Sequence, residues 1–219
     1  NPLTYKNLAD DPAKDCRVRA VVTDQPSIME IHPSVPARKV AELVAYAKQN
    51  PGKLNFGSAG TGGSAHLAGE MFRQMAGIDM VHIPYKGMAP ALTDLLSGNI
   101  QVLFDSLGTA LPPINAGLLR PLAVGSAKRV AQLPDLPTIA ESGLPGFEAV
   151  QWYGIVAPKG TPRDIVDRLN RAINAELATP EFAAVLERDG AVATPRSPEA
   201  FGELIASELP VWREVITQA

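Results

Sequence analysis

The chain has 219 residues, of which 46% are hydrophobic and 20% charged, a composition that excludes both a disulfide-stapled miniprotein and a disordered chain. Its formal net charge of −3 excludes the basic footprint of a nucleic-acid-binding domain, and the sequence contains no apolar run long enough to span a membrane. The single cysteine, Cys16, excludes an internal disulfide and is compatible with a cytosolic or a periplasmic location.

Short apolar runs bounded by glycine and proline predict strands along most of the chain. The seven predicted strands are at 17–23, 28–31, 54–57, 80–84, 100–104, 121–125 and 150–157. Apolar residues at helical spacing lie between the middle strands, beginning with Val40, Leu43 and Ala47. Strands that alternate with helices predict βαβ units and an α/β fold with mainly parallel sheets flanked by helices.

From Thr161 onward the pattern is mostly helical, because three Thr-Pro or Ser-Pro pairs each combine an N-cap with proline at the first helical position. Residues 31–40 also resemble residues 156–165, since both segments contain a strand, a proline turn and a proline-led helix. We interpret these two segments as crossings between lobes, near 31–33 and 149–157. The sequence therefore predicts one lobe from 1–31 plus 150–219 and a second lobe from 33–148.

A glycine-rich turn follows the strand at 54–57, and we call residues 58–64, Ser-Ala-Gly-Thr-Gly-Gly-Ser, the glycine loop. A loop of this kind lets several backbone N–H groups point at one spot, and a following helix adds partial positive charge. An anion is the expected ligand. A tight turn without any ligand is the alternative.

Two nucleotide-binding motifs fit this segment poorly. A Walker loop needs lysine where Gly63 stands, so the phosphates would lack their main cation. The segment 60–65 matches a dinucleotide fingerprint, but the acidic candidate Asp79 precedes the next strand instead of following it. A Rossmann-type oxidoreductase nevertheless remains the main alternative function, and a bare interaction domain is a third.

A hydrolase would have to recruit Ser58 or Ser64 together with His66 and Asp105, yet the sequence has no G-x-S-x-G elbow. We interpret His66 as a surface residue at a helix start and His82 as a packed strand residue.

Non-covalent capture of a carboxylate fits the glycine loop best, because it needs neither a cation nor a base. Ser58, Thr61 and Ser64 supply hydroxyls, while Gly60 and Gly62 leave room for close approach.

Two further loops belong to the same predicted rim, since ligands of open parallel sheets gather at the carboxyl ends of the strands. In the first loop, Tyr85 would donate its hydroxyl and Lys86 would either attract an anion or remain a solvated lysine. In the second, Asp105 would cap the following helix or meet an amino group of the ligand.

Several sequence motifs follow one another along the chain, and they are specific only when they are taken together. They include Asn50-Pro-Gly-Lys-Leu-Asn-Phe-Gly-Ser-Ala-Gly, His82-Ile-Pro-Tyr-Lys-Gly and Trp152-Tyr-Gly-Ile-Val-Ala-Pro-Lys-Gly-Thr-Pro. This pattern resembles the extracytoplasmic solute receptors of tripartite tricarboxylate transporters, the Bug receptors. The resemblance implies a type II-like, two-lobed periplasmic binding protein that closes over a di- or tricarboxylate, an acidic amino acid or an aromatic acid. It implies no catalysis, no cofactor, no metal and no nucleic acid, and it implies membrane transporter components as partners.

The resemblance also implies where the ligand binds, largely through main-chain groups, with Trp152 near the cleft. The predicted ligand-binding residues are Ser58, Ala59, Gly60, Thr61, Gly62, Ser64, Tyr85, Lys86, Gly87, Asp105 and Trp152. Family members begin with a strand and a glycine-rich loop that have no counterpart in this sequence. We therefore expect an incomplete first lobe, weak ligand binding and self-association or marginal stability.

Overall fold

The computed structural model describes residues 16–188 and 190–218, which divide into two compact units. The central unit is Pro26–Gln151, and the terminal unit contains the described residues up to Gln25 and from Trp152 onward. Residues 26–31 therefore belong to the central unit, whereas the sequence assigned them to the first lobe. The part of the predicted first lobe at 1–15 lies outside the described residues.

Seven strands are present in the described residues: β1 (Cys16–Ile31), β2 (Leu54–Ser58), β3 (Met80–Pro84), β4 (Val102–Ser106), β5 (Arg120–Val124), β6 (Val150–Pro158) and β7 (Val192–Ala193). They agree with the predicted strands except at two places. The two predicted first strands form one continuous strand, β1, and the short strand β7 was not predicted.

Pro26 explains why the sequence suggested a break in β1. It lies between Asp24, the last residue paired with β7, and Ser27, the first residue paired with β4. Neither of these ladders needs the amide hydrogen that proline lacks, so the strand continues from one unit into the other.

The strand order in the central unit is β3-β2-β4-β1-β5, and β6 and β7 also pair with β1. Strands β3, β2 and β4 are parallel, as predicted. Strand β1 is antiparallel to both β4 and β5, so the sheet is mixed. The antiparallel direction follows from connectivity: β1 enters this sheet from the terminal unit and does not arise from a βαβ crossover.

Seven helices are described: α1 (Val40–Gln49), α2 (Ser64–Ala76), α3 (Met88–Leu96), α4 (Leu107–Asn115), α5 (Arg163–Leu177), α6 (Pro180–Arg188) and α7 (Pro198–Gln218). Helices α2, α3 and α4 each follow one of the parallel strands, which is the predicted α/β arrangement. None of the described helices combines the length and apolar character that a bilayer crossing requires.

The two faces of the central sheet bury different side chains, because successive residues of a strand point to opposite sides. Leu103 packs with aliphatic residues of α3, including Ala91 and Leu95. On the other face Phe104 packs against Phe72 and Phe147, with ring centroids 5.9 and 6.5 Å away. Burying each such side chain stabilises the unit by about 1.5–3 kcal/mol, so this core fixes the strand ends that carry the loops.

The terminal unit packs its helices around a smaller set of buried residues. Phe201 of α7 is fully buried and meets the Trp152 ring edge-on, with centroids 5.1 Å apart. On α5, Val166 is buried, and the Asn170 amide donates to the backbone carbonyl of Arg196.

Candidate functional site

Three loops meet at one edge of the central sheet. Ser58, at the end of β2, pairs in register with Pro84 at the end of β3, and β4 runs parallel on the other side of β2. Each of these strands is followed by a helix N-terminus, with Gly63, Gly87 and Ser106 as the N-caps. The partial positive ends of α2, α3 and α4 therefore lie along the same sheet edge.

The glycine loop is held by Ser58, a fully buried residue. Its hydroxyl accepts the Gly60 N–H at 3.2 Å, donates to the Gly60 carbonyl at 3.0 Å and lies 2.6 Å from His82 Nε2. Ser58 thus serves the loop itself, and its hydroxyl is not available to a ligand.

Two histidines contact the glycine loop. The Gly62 N–H donates to His66 Nδ1 at 3.1 Å, and the His66 and His82 rings lie 4.0 Å apart. His66 is only 9% exposed, so its interpretation as a surface residue was wrong. His82 is half-buried and packs against the rings of Phe56 and His66, as expected. His66 packs because Phe56 stacks on its ring from β2.

Burial controls the charge of both rings. Burial, and secondarily the neighbouring His66 ring, lower the pKa of His82 from 6.5 to about 4. Burial also lowers the pKa of His66; Glu70 acts against this shift and Arg73 adds to it. Both imidazoles are therefore neutral at neutral pH, and neither supplies a cation to a bound anion.

Several backbone N–H groups of the glycine loop are open. Ala59, Thr61 and Ser64 are exposed, and no hydrogen bond to their backbone N–H groups occurs in the described part of the chain. The Ser64 hydroxyl donates to Gln151 at 2.8 Å, and Gly63 is the N-cap of α2 without a side-chain cap. Open amides at a helix N-terminus, beside exposed hydroxyls, form an anion-binding arrangement.

Tyr85 and Lys86 have different roles in the next loop. The Tyr85 hydroxyl donates to Asp94 at 2.7 Å, so it points into α3, and the prediction that it serves a ligand is not supported by its position. The Tyr85 N–H donates to the Ser58 carbonyl, which ties the two loops together. Lys86 is exposed and has no ion-pair partner within the described residues, and Gly87 supplies the positive φ of +131° that begins α3.

Asp105 is 2% exposed and directly precedes Ser106, the N-cap of α4. Its Oδ1 accepts from the Ser106 N–H and the Thr109 hydroxyl, at 2.7 and 2.9 Å. Burial raises its pKa, and these two hydrogen bonds oppose the rise. A carboxyl so enclosed is a poor partner for an amino group of a ligand.

Trp152 begins the second segment of the terminal unit, and its indole N–H donates to Glu208 at 3.0 Å. Its contacts are those of a packing residue in that unit. Its contact with a ligand stays a prediction.

The hydrolase alternative fails on geometry. Ser58 and His82 are close enough for a nucleophile and its base, but Ser58 is fully buried, and Asp105 is bonded to Ser106 and Thr109. No serine–histidine–carboxylate triad is therefore assembled from these residues. The described residues also contain no group of three or more His, Cys, Asp or Glu side chains that could hold a metal ion.

The sequence interpretation missed the contacts of His66 and His82 with the glycine loop. A weak signal exists in the spacing, because His66 follows Gly62 by four residues and lies in the first turn of α2. His82 pairs with Phe56 across the β2–β3 ladder, which places it diagonal to Ser58 on the same face.

The whole chain, residues 1–219, matches the family model described as tripartite tricarboxylate transporter family receptor. The chain belongs to this family. A UPF0065 protein from the tcbD-tcbE intergenic region of Pseudomonas sp. strain P51 is 40% identical over 88% of the chain. Protein BugT of Bordetella pertussis is 34% identical over 91% of it.

Solved structures agree with this assignment. An R. palustris protein with adipate has a TM-score of 0.89 and 37% identity, covering 97% of this chain and 71% of its own. The periplasmic binding protein BugD has a TM-score of 0.86 and 36% identity, and the match covers 99% of this chain and 73% of BugD. MatC from Rhodopseudomonas palustris with bound malate has a TM-score of 0.86 and 28% identity, covering 98% and 74%.

These comparisons confirm the α/β fold of periplasmic binding proteins, and the matched family and these solved relatives are receptors or binding proteins. The chain spans 58% of the length of the Pseudomonas relative and 61% of BugT.

Proposed function

We propose that this receptor is a periplasmic protein whose glycine loop binds one carboxylate group of a small organic acid. Family membership supports the receptor function, and the relatives solved with adipate and with malate support a carboxylate ligand. The observation that carries the proposal is the set of open amides at the start of α2, beside the exposed hydroxyl of Thr61.

The charge around these donors favours an anion. Lys86 is the exposed cation of the neighbouring loop, and the carboxyl group nearest in the sheet, Asp105, is buried. A charge-assisted hydrogen bond is about twice as strong as a neutral one, so two or three such bonds support micromolar affinity. Ser58, Gly60 and Gly62 contribute by shaping the loop.

The burial and hydrogen bonds of Asp105 also indicate which class of acid this receptor binds. Asp105 is buried, and only its Oδ1 is bonded, at the start of α4, so Asp105 offers no exposed oxygen to an ammonium group of a ligand. We therefore favour di- or tricarboxylates over acidic amino acids. Adipate and malate, the acids bound by two relatives, are both dicarboxylates.

Delivery of the bound acid to the membrane components of a tripartite tricarboxylate transporter completes the proposed function. The family description supports this partner, and the periplasmic location of BugD supports the location. Trp152 is proposed as a further ligand contact, on the resemblance alone.

Calorimetry and thermal unfolding with a panel of acids test the proposal. We expect adipate and malate to bind, and a ligand at 100 times its Kd to stabilise the fold by about 2.7 kcal/mol. Aspartate carries an ammonium group where malate carries a hydroxyl, so it should bind more weakly than malate. Adipamide, which lacks charge, should not bind.

The same panel includes NAD as the probe for the oxidoreductase alternative. Binding of NAD without binding of any acid would contradict the proposal. An equal affinity for aspartate and malate would contradict only the preference against amino acids.

A further inference from the structure

The hydrogen bond between Gly62 and His66 fixes the protonation state of the ring. The Gly62 N–H donates to Nδ1, so this nitrogen must carry a lone pair, and the ring proton of neutral His66 lies on Nε2. Protonating His66 would place a second hydrogen on Nδ1, where it opposes the Gly62 N–H. The bond would then be lost.

His82 responds differently to a proton. Ser58 Oγ accepts the Gly60 N–H and donates to the Gly60 carbonyl, so its contact with His82 is satisfied when His82 Nε2 carries hydrogen. An added proton goes to Nδ1 of His82 and leaves this bond intact. Of the two rings, only His66 has a loop contact that acid abolishes.

We propose that His66 is a positioning residue that holds the glycine loop in its anion-binding conformation while its ring is neutral, so that acid weakens carboxylate binding. This inference rests on the proposed function, since it assigns a regulatory role to the same loop. His66 touches no ligand in this account. It acts through Gly62, a residue of the glycine loop with a positive φ of +80°.

The charged groups around His66 set the pH range. They are Glu70 at 3.9 Å and Arg73 on the same helix, and the His82 ring on β3. Burial lowers the pKa of His66, so affinity should be constant at neutral pH and fall only below the ordinary histidine range. One pH unit below that pKa, where about a tenth of the rings are neutral, Kd should rise about tenfold.

Two substitutions distinguish the role of His66 Nδ1 as a hydrogen-bond acceptor from the packing of the His66 ring. His66→Asn retains an acceptor at the position of Nδ1 but does not titrate. We expect it to bind adipate at neutral pH within about threefold of the unsubstituted protein. Its Kd should rise less on acidification than that of the unsubstituted protein, because only the protonation of adipate itself then weakens binding. His66→Phe keeps a ring against Phe56 but removes the acceptor, and its Kd should rise about tenfold at neutral pH.

The third histidine of the chain supplies the matched control. His32 bonds to Ser34, and it is remote from the loop in the strand order. His32→Asn should leave both the neutral Kd and its acid dependence unchanged. An affinity for adipate that rises on acidification, or equal pH profiles for His66→Asn and the unsubstituted protein, would overturn the inference.

A measurement without ligand distinguishes this inference from the proposed function. Nitrogen-15 NMR should report the Nε2–H tautomer for His66, and the Gly62 amide should exchange faster in His66→Phe than in the unsubstituted protein at one pH. Equal exchange rates would overturn the inference even if adipate binds. The expected NMR result in a protein that binds neither adipate nor malate would overturn the proposed function, and the regulatory role with it.

Discussion

Gly60 shows at the residue scale why the loop requires glycine. Its φ is +141°, a conformation that other residues adopt at a cost of about 1–3 kcal/mol. Its carbonyl also accepts from Ser58 and from the Gly63 N–H. We predict that Gly60→Val rotates these groups and raises the Kd for adipate at least tenfold, as measured by calorimetry.

Gly117 is the matched control for this substitution. It also has a positive φ, +72°, and an added Cβ would meet nothing within 4 Å. Gly117→Val should therefore destabilise the fold by a similar amount without changing Kd. Unchanged adipate binding in Gly60→Val would exclude the glycine loop as the binding site.

Glu30 supplies a prediction on stability. It is fully buried in β1, and neither carboxyl oxygen has a partner among the described residues. Burial, and secondarily Asp105, raise its pKa from 4.5 to about 9. Above pH 4.5 the unfolded chain loses this proton while the folded protein keeps it, so stability must fall as pH rises towards 9.

The window from pH 6.5 to 8.5 separates this effect from that of the two histidines, because their lowered pKa values act below 6.5 and in the opposite direction. We expect the free energy of unfolding in urea to fall by up to about 1.4 kcal/mol per pH unit. Glu30→Gln should remove this slope, and Glu148→Gln, at an exposed position, should retain it. A slope that survives in Glu30→Gln would disprove the role of this carboxyl.

The sequence located the glycine loop correctly but not the bonds that hold it. Hydroxyls and glycines were expected to face the ligand, whereas Ser58, Gly60 and Gly62 bond to one another and to two histidines. Those bonds join residues up to 24 positions apart and depend on the register of β2 and β3. No local pattern contains that register, and the buried carboxyl of Glu30 gave no periodic signal either.

At the scale of elements, the packing of α2 on β2 depends on Gly69. A Cβ at this position would collide with the Phe56 ring. We predict that Gly69→Ala destabilises the protein by about 1–3 kcal/mol, because the buried ring has no room to move. The urea midpoint at constant m-value measures the change.

Gly202 on α7 is the contrasting helical glycine. An added Cβ there meets nothing within 4 Å, so Gly202→Ala should stabilise the helix by about 0.5–1 kcal/mol. Opposite signs for the two substitutions would establish that the Phe56 contact decides the outcome. Two equal effects would contradict this explanation.

The starts of α6 and α7 were predictable because their caps are local. Thr179 and Ser197 accept the backbone N–H groups of Phe182 and Ala200, as the Thr-Pro and Ser-Pro pairs predicted. Thr161 donates to the Pro158 carbonyl instead, and α5 begins at Arg163 with Pro162 as its N-cap. The continuity of β1 was not predictable, because it depends on partners from both ends of the chain.

At the scale of the whole molecule, the terminal unit exposes apolar surface. Tyr153, Ile155 and Val156 of β6 are 51%, 46% and 50% exposed. Successive residues of a strand point to opposite faces, so both faces of β6 are open here. Ile165 and Leu169 on α5 are also exposed, at 45% and 43%. Apolar patches of this kind are typical of association surfaces.

We therefore predict that the 219-residue chain self-associates through the terminal unit. Light scattering coupled to size exclusion should give a mass above 23.2 kDa that increases with concentration. Ile155→Lys places a charge within the patch and should shift the mass towards that of the monomer, because burying an unpaired ammonium opposes association. Leu118→Lys replaces an equally large aliphatic side chain, 55% exposed in the central unit, and should leave the mass unchanged. A monomeric mass at every concentration would exclude self-association, and an equal shift in both variants would exclude the terminal unit as its location.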